Sequence, residues 1–103
     1  MFQSFIIDKD DHLLVKVEGD LDVYSEEKFR DFIEENLRDI AKDLTIDLEN
    51  LDYLDSTGLG QFMKIYKFVK EKGYKTTITN PKENIYKLFK ITDLTAVSYT
   101  HLR

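Results

Sequence analysis

The chain has 103 residues, the length of a single domain, with 42% apolar residues and a net charge of −5. Seven Phe and six Tyr can fill a core, while the absence of Cys excludes disulfides and thiolate metal sites. One Pro and four Gly leave little room for linkers, and the acidic balance argues against nucleic acid, whose binding rests on neutralising phosphates with Lys and Arg.

Met1-Phe2-Gln3-Ser4-Phe5 lacks the basic-then-apolar pattern of a signal peptide, and no apolar run approaches the length of a membrane span. The expectation is a cytoplasmic protein that engages no membrane. Its charge suits a partner with a basic surface. Solubility alone is the plainer account of the same charge.

Phe2 to Asp8 reads as a strand, with β-prone Phe5, Ile6 and Ile7. Asp10-Asp11 turns the chain, and Leu13 to Glu18 reads as a second strand, so the pair is a hairpin. His12 in the turn has no second His or Cys near it and is read as a solvated turn residue. Gly19-Asp20-Leu21-Asp22-Val23-Tyr24 is a connection. Ser25 is expected to cap a first helix, with Glu26 and Glu27 in its first turn. Phe29, Phe32, Ile33, Leu37, Ile40 and Ala41 follow the spacing of one buried helical face.

Leu44 to Leu48 is a short apolar run bounded by charge, as expected of a central strand. Asn50 to Leu54 is expected to carry the chain across the end of the sheet. A helix then runs from about Thr57 to Lys72 and stops at Gly73. On a helical wheel Leu59, Phe62, Tyr66 and Val69 share one face, with Met63 and Ile65 on its flanks. Gly58 points near that face and lets the helix start sit close to the sheet. Gly60 points toward solvent, which a partner approaching closely or a frayed helix would explain. Phe68 falls off the core face and is either covered by a later element or exposed for a partner.

Lys75 to Thr79 is a further strand, and Asn80-Pro81 signals a helix with Asn as cap and Pro at the first helical position. Ile85, Leu88 and Phe89 are its apolar face, and Ala96 to Tyr99 can form a last strand. The order β-β-α-β-α-β-α-β predicts an α/β fold, a mixed β-sheet of four to five strands packed by helices.

The seam Leu51-Asp52-Tyr53-Leu54-Asp55-Ser56-Thr57-Gly58-Leu59-Gly60 places a carboxylate, two hydroxyls and two glycines where a strand gives way to the longest helix. A hydroxyl there can cap the helix, and a phosphate on it would be stabilised by free N–H groups and the helix dipole. Several chemistries are excluded. Gly58-Leu59-Gly60 is not the dinucleotide fingerprint, since Met63 stands where the third Gly belongs, and no P-loop exists. Ser56 has no obvious base, because the chain's histidines are His12 and His101. Asp20, Asp22 and Asp55 could in principle bind Mg²⁺, but isolated loop aspartates more often cap or stay solvated. What remains is a hydroxyl that accepts a phosphate from another protein, or a plain cap.

These residues also carry a resemblance. Asp55-Ser56-Thr57-Gly58-Leu59-Gly60 followed by an apolar helix resembles the signature of bacterial anti-sigma factor antagonists, the small STAS domains. Gly19 to Ser25 is similar to the family's loop before its first helix, and Lys87 to Leu94 resembles its third helix and following turn. The likeness runs from about residue 13 to 97. It implies a single STAS-like domain over 1–103, lacking the family's C-terminal helix, since Val97 to Arg103 has no helical periodicity. It implies Ser56 as a phosphosite with Thr57 secondary, and Asp20, Asp22, Tyr24, Asp55, Gly58 and Gly60 as partner-binding residues. The implied partners are an anti-sigma factor serine kinase and a serine phosphatase. The unphosphorylated form binds the anti-sigma factor and frees the sigma factor. The kinase brings ATP and Mg²⁺, so this chain needs no cofactor, and it is expected to be a monomer and no enzyme. The competing readings are a STAS domain acting as sensor or scaffold in another complex, a small enzyme using the Asp22/Asp55/Ser56 corner, and a structural domain in which Ser56 only caps.

Overall fold

The computed structural model describes residues 1–91 and 98–100. Within them the elements are β1 (Phe2–Asp8), β2 (His12–Leu21), α1 (Glu26–Leu37), β3 (Asp43–Asp47), β4 (Leu51–Leu54), α2 (Ser56–Glu71), β5 (Thr76–Thr79), α3 (Glu83–Ile91) and β6 (Ser98–Thr100). The body of the sheet has the order β1-β2-β3-β5-β6, and β4 pairs with β2. β1 and β2 are antiparallel, and the other pairs are parallel, so the sheet is mixed as expected.

The ten residues of β2 serve two neighbours in succession. His12 to Lys16 pair with β3, then Gly19 to Leu21 pair with β4. The segment Asn50 to Leu54, expected as a connection, is therefore largely a strand. Its burial departs from simple alternation, with Leu51 and Leu54 buried and Asp52 and Tyr53 exposed. A shift of register at Gly19/Asp20 lets it dock. Gly19 has φ +88°, and a Cβ there would lie 1.9 Å from the Met1 carbonyl oxygen. Only glycine fits this bend.

All three helices pack on one face of the sheet, and a run of rings joins them. Phe2 meets Phe29 at 5.5 Å between centroids, Phe29 meets Phe62 at 5.7 Å, and Phe62 meets Phe89 at 5.5 Å. The rings come from β1, α1, α2 and α3 in turn. Edge-to-face and tilted pairs of this kind add to the area term of burial. Val15, Val17, Leu44, Ile46 and Ile78 supply the sheet side of the core.

Four local expectations are corrected. Ser25 stands at the N-cap position of α1 but makes no side-chain cap bond, because its hydroxyl is engaged by the preceding loop. Ala41 is exposed, since α1 ends at Leu37, although Ile40 is still buried. Asn80 does not cap α3, which begins at Glu83. It takes the left-handed conformation at φ +56°, and its side-chain amide donates to Asp47 Oδ1 at 3.3 Å. On α2 the buried face is Gly58, Gln61, Phe62, Ile65 and Val69, with Leu59 and Tyr66 half-buried and Met63 exposed. The face is rotated toward Ile65 because Gln61 is drawn in, its amide donating to the Glu26 carbonyl at 2.9 Å. Gly73, at φ +93°, ends the helix as expected. Part of the last expected strand, Ala96 and Val97, lies outside the described residues, as does the Thr92-Asp93-Leu94 turn.

Phe62 touches rings on both flanking helices, so Phe62→Ala removes the centre of the run. Chemical denaturation should show a loss of about 3–5 kcal/mol. A loss under about 1 kcal/mol would mean that the helices are held mainly by something else.

Candidate functional site

The candidate site begins where β2, β4 and α2 converge. The Asp55 N–H donates to the Leu21 carbonyl at 3.3 Å, tying the start of α2 to the end of β2. Asp55 then caps the helix. Its backbone is extended, and its Oδ1 accepts from the Gly58 N–H at 3.0 Å. The Asp55 carbonyl accepts the first helical bond, from Leu59 N–H at 2.9 Å.

The cap is thus a carboxylate, and Ser56 is the first helical residue beyond it. The reading in which Ser56 serves only as a cap is overturned, since Asp55 holds that position. Ser56 is exposed, and its hydroxyl has no partner among the described residues. The N–H groups of Ser56 and Thr57 likewise donate no bond among the described residues, so the positive end of the dipole of a 16-residue helix is partly open beside the hydroxyl.

Gly58 allows this convergence. A Cβ at Gly58 would lie 2.6 Å from Leu54 Cδ1, 2.7 Å from the Leu21 carbonyl oxygen and 2.8 Å from Leu21 Cγ. The expectation that the helix start sits against the sheet holds at this residue. Gly60 differs, because a Cβ there would meet nothing within 4 Å.

The loop between β2 and α1 adjoins this corner through Leu21. It is organised by its own side chains. Asp22 Oδ1 accepts from the N–H of Tyr24 at 3.0 Å and of Ser25 at 3.3 Å. The Ser25 hydroxyl donates to the Asp20 carbonyl at 2.9 Å and accepts from the Asp22 N–H at 2.9 Å. The result presents Val23 and Tyr24 outward, 58% and 93% exposed. Asp22 is therefore committed to shaping the loop that displays its neighbours.

Asp20 is placed differently. It pairs with Tyr53 in the register of β2 and β4, and its carboxylate lies 3.5 Å from the N-terminal ammonium. It lines a shallow pocket of about 300 Å³ with Glu18, Asn50 and Asp52. Asp22, Asp55, Ser56, Thr57 and Gly58 thus gather near one corner, while Asp20 faces away toward the chain start. Among the described residues no group of three or more His, Cys, Asp or Glu stands in a metal-holding arrangement. No helix among the described residues is long and apolar enough to cross a membrane.

Other residues near the site went unmarked in the sequence. Tyr53 is 51% exposed because β4 is a strand whose outward positions are bare. Lys82, immediately before α3, forms an ion pair with Asp52 of β4. Gln61 spans α1 and α2, and its place three residues after Gly58 was the available signal. Phe68, which the sequence did single out as lying off the core face, is half-buried at the margin of the core and lines a groove of about 430 Å³ between α1 and α2, with Lys72 5.4 Å above its ring. The Asp11 carboxyl is held below its usual range, first by the hydrogen bond with His12. It lies in the hairpin turn, at the opposite end of β2.

Comparison with known proteins agrees with this geometry. The STAS domain family matches residues 6–102. An anti-sigma-B factor antagonist of Staphylococcus aureus (strain NCTC 8325 / PS 47) is 36% identical over 80 residues, covering 78% of this chain and 74% of that protein. The anti-sigma-B factor antagonist of Bacillus subtilis (strain 168) is 39% identical over 80 residues, covering 78% and 72%. Among solved structures, a candidate anti-sigma factor antagonist of Thermotoga maritima superposes with a TM-score of 0.80 at 18% identity, over 99% of this chain and 86% of that one. SpoIIAA in its unphosphorylated form superposes with a TM-score of 0.73 at 18% identity, over 100% and 89%. The chain belongs to the STAS domain family. Within it, the chain is of the anti-sigma factor antagonist type that the curated relatives represent.

Two substitutions separate cap from hydroxyl. Asp55→Ala should cost about 1 kcal/mol of stability by thermal or urea unfolding, and Ser56→Ala should cost close to nothing. The reverse order would return the cap to Ser56. Gly60→Ala fills open space on a helix and should stabilise the chain by about 0.5–1 kcal/mol. A destabilising result would show that the helix start is strained at this residue.

Proposed function

We propose that this chain is a phosphorylatable binding module. Unphosphorylated, it docks on a kinase-type anti-sigma factor and releases the sigma factor. Phosphate on Ser56 ends that binding, and a serine phosphatase restores it. The observation that carries the proposal is the free Ser56 hydroxyl at the start of α2, relieved of capping by Asp55. The names of the relatives support an anti-sigma factor as the partner class, and the unphosphorylated form in which SpoIIAA was solved implies a phosphorylated counterpart of that protein.

The physics favours charge exclusion over unfolding. A phosphoryl group adds about −1.5 to −2 charges. Its oxygens can take the N–H groups of Ser56 and Thr57, so the helix tolerates it. The same charge stands next to the Asp55 carboxylate on a chain of net charge −5, where a docking surface must approach. Val23 and Tyr24 supply exposed apolar contact on the neighbouring loop. Asp22 acts by holding that loop in shape, and Thr57 is the secondary acceptor. The chain is a regulator and no catalyst, the ATP and Mg²⁺ belong to the kinase, and the setting is the bacterial cytoplasm.

Incubation with the cognate kinase-type anti-sigma factor and ATP, followed by mass spectrometry, should place one phosphate on Ser56. Phosphate found elsewhere than Ser56 or Thr57 would discard the site. Ser56→Asp should keep its circular dichroism and melting midpoint yet lose binding by at least tenfold, while Ser56→Ala should bind and resist phosphorylation. Retained binding by Ser56→Asp would count against exclusion by charge.

A further inference from the structure

The free side of β1 is the other unusual surface. β1 lies at one end of the sheet, and its register with β2 runs from Phe2↔Gly19 to Asp8↔Leu13 without a bulge. Two bonds fix the direction of its backbone groups. The Asp20 N–H donates to the Met1 carbonyl, and the Lys9 N–H donates to the His12 carbonyl. In an antiparallel ladder, residues whose groups face the partner strand alternate with residues whose groups face away. Met1, Gln3, Phe5, Ile7 and Lys9 therefore face β2, and Phe2, Ser4, Ile6 and Asp8 direct their N–H and C=O groups outward.

Lys28 supports this assignment, since its Nζ donates to the Phe2 carbonyl at 3.2 Å. Among the described residues no other side chain bonds to that outward row. Exposed edges are ordinarily guarded by charge, Pro or a bulge. Phe2 to Ile7 has no charged residue and no Pro. On the face away from the helices, Phe5 is 45% and Ile7 41% exposed.

We infer that β1 is a dimerisation edge that pairs antiparallel with β1 of a second copy about a two-fold axis at Phe5. The two-fold register matches Ser4 with Ile6 of the second copy and Phe2 with Asp8, so all the outward residues on both chains are used. No other centred register uses them all. It sets Phe5 directly opposite its own copy on the open face, an aromatic cross-strand pair. It also brings Lys28, held at Phe2 on the helix side, toward Asp8 of the second copy, an acid that already holds Lys42 at 2.6 Å. The charges there are complementary, which favours a copy of this chain over an arbitrary strand. The interface falls at or below the roughly 1,200 Å² of the smaller specific complexes, so the dimer is reversible with concentration. β4 and the start of α2 lie across β2 from this edge, so pairing leaves Ser56 uncovered.

Sedimentation velocity over a concentration series tests the inference. The wild-type chain should pass from monomer to dimer as concentration rises. Phe5→Glu and Phe5→Lys should each be monomeric alone, because like charges then face each other across the axis. An equimolar mixture of the two should dimerise again. Ser4→Pro deletes an N–H that no bond among the described residues uses, and should abolish the dimer with a near-native melting midpoint. A wild-type chain that stays monomeric throughout, or a Ser4→Pro chain that dimerises as the wild type does, would overturn strand pairing. Failure of the mixture to dimerise would overturn the axis at Phe5.

Discussion

The start of α2 rests directly on the end of β2, and much of the molecule depends on that approach. Leu21 supplies the carbonyl that receives the Asp55 N–H, and its side chain and oxygen occupy the space a Cβ on Gly58 would need. Because residue 58 is glycine, the helix can be seated with its first turn against the sheet. Seating it there turns Phe62, Ile65 and Val69 into the core and leaves Ser56 at the rim. A bulkier residue would push the helix off the strand or displace Leu21, and either would disturb the corner and the ring packing behind it.

Around that contact, capping and display are divided between adjacent residues. Asp55 caps the helix, so the Ser56 hydroxyl is left without a capping role. The same division appears in the neighbouring loop. Asp22 and Ser25 use their oxygens on backbone groups, and Val23 and Tyr24 are held outward as a result. Under the proposed switch, a change of charge at this corner would be enough to refuse a partner, with no need for the domain to unfold.

The sheet shows a complementary economy. Three helices cover one face, and the chain of Phe rings keeps them in register with β1. The other face and the β1 edge carry Phe5 and Ile7 without cover from the described residues. Two surfaces are thus separated by β2: the acidic corner at the start of α2 and the apolar edge at β1. Occupation of one, as proposed, would leave the other accessible.

Much of this was legible in residue order. Alternation and helical spacing placed β1, β2, β3, β5 and the three helices, and Gly73 marked the end of α2, because these signals depend on neighbours a few residues apart. Gly58 and Ser56 were likewise singled out by position at a strand-to-helix seam. The order of residues could not assign the cap, since Asp55 and Ser56 are both competent and backbone direction at the helix start chooses between them. Nor could it show β4, whose four residues become a strand only because β2 is long enough to outlast β3 and Gly19 lets the register shift. The capping roles expected of Ser25 and Asn80 failed for the same reason, since each side chain was claimed by a partner that the local pattern does not reveal. Short-range periodicity is written along the chain, whereas the choice among competent hydrogen-bond partners is made by distances that exist only once distant segments have packed.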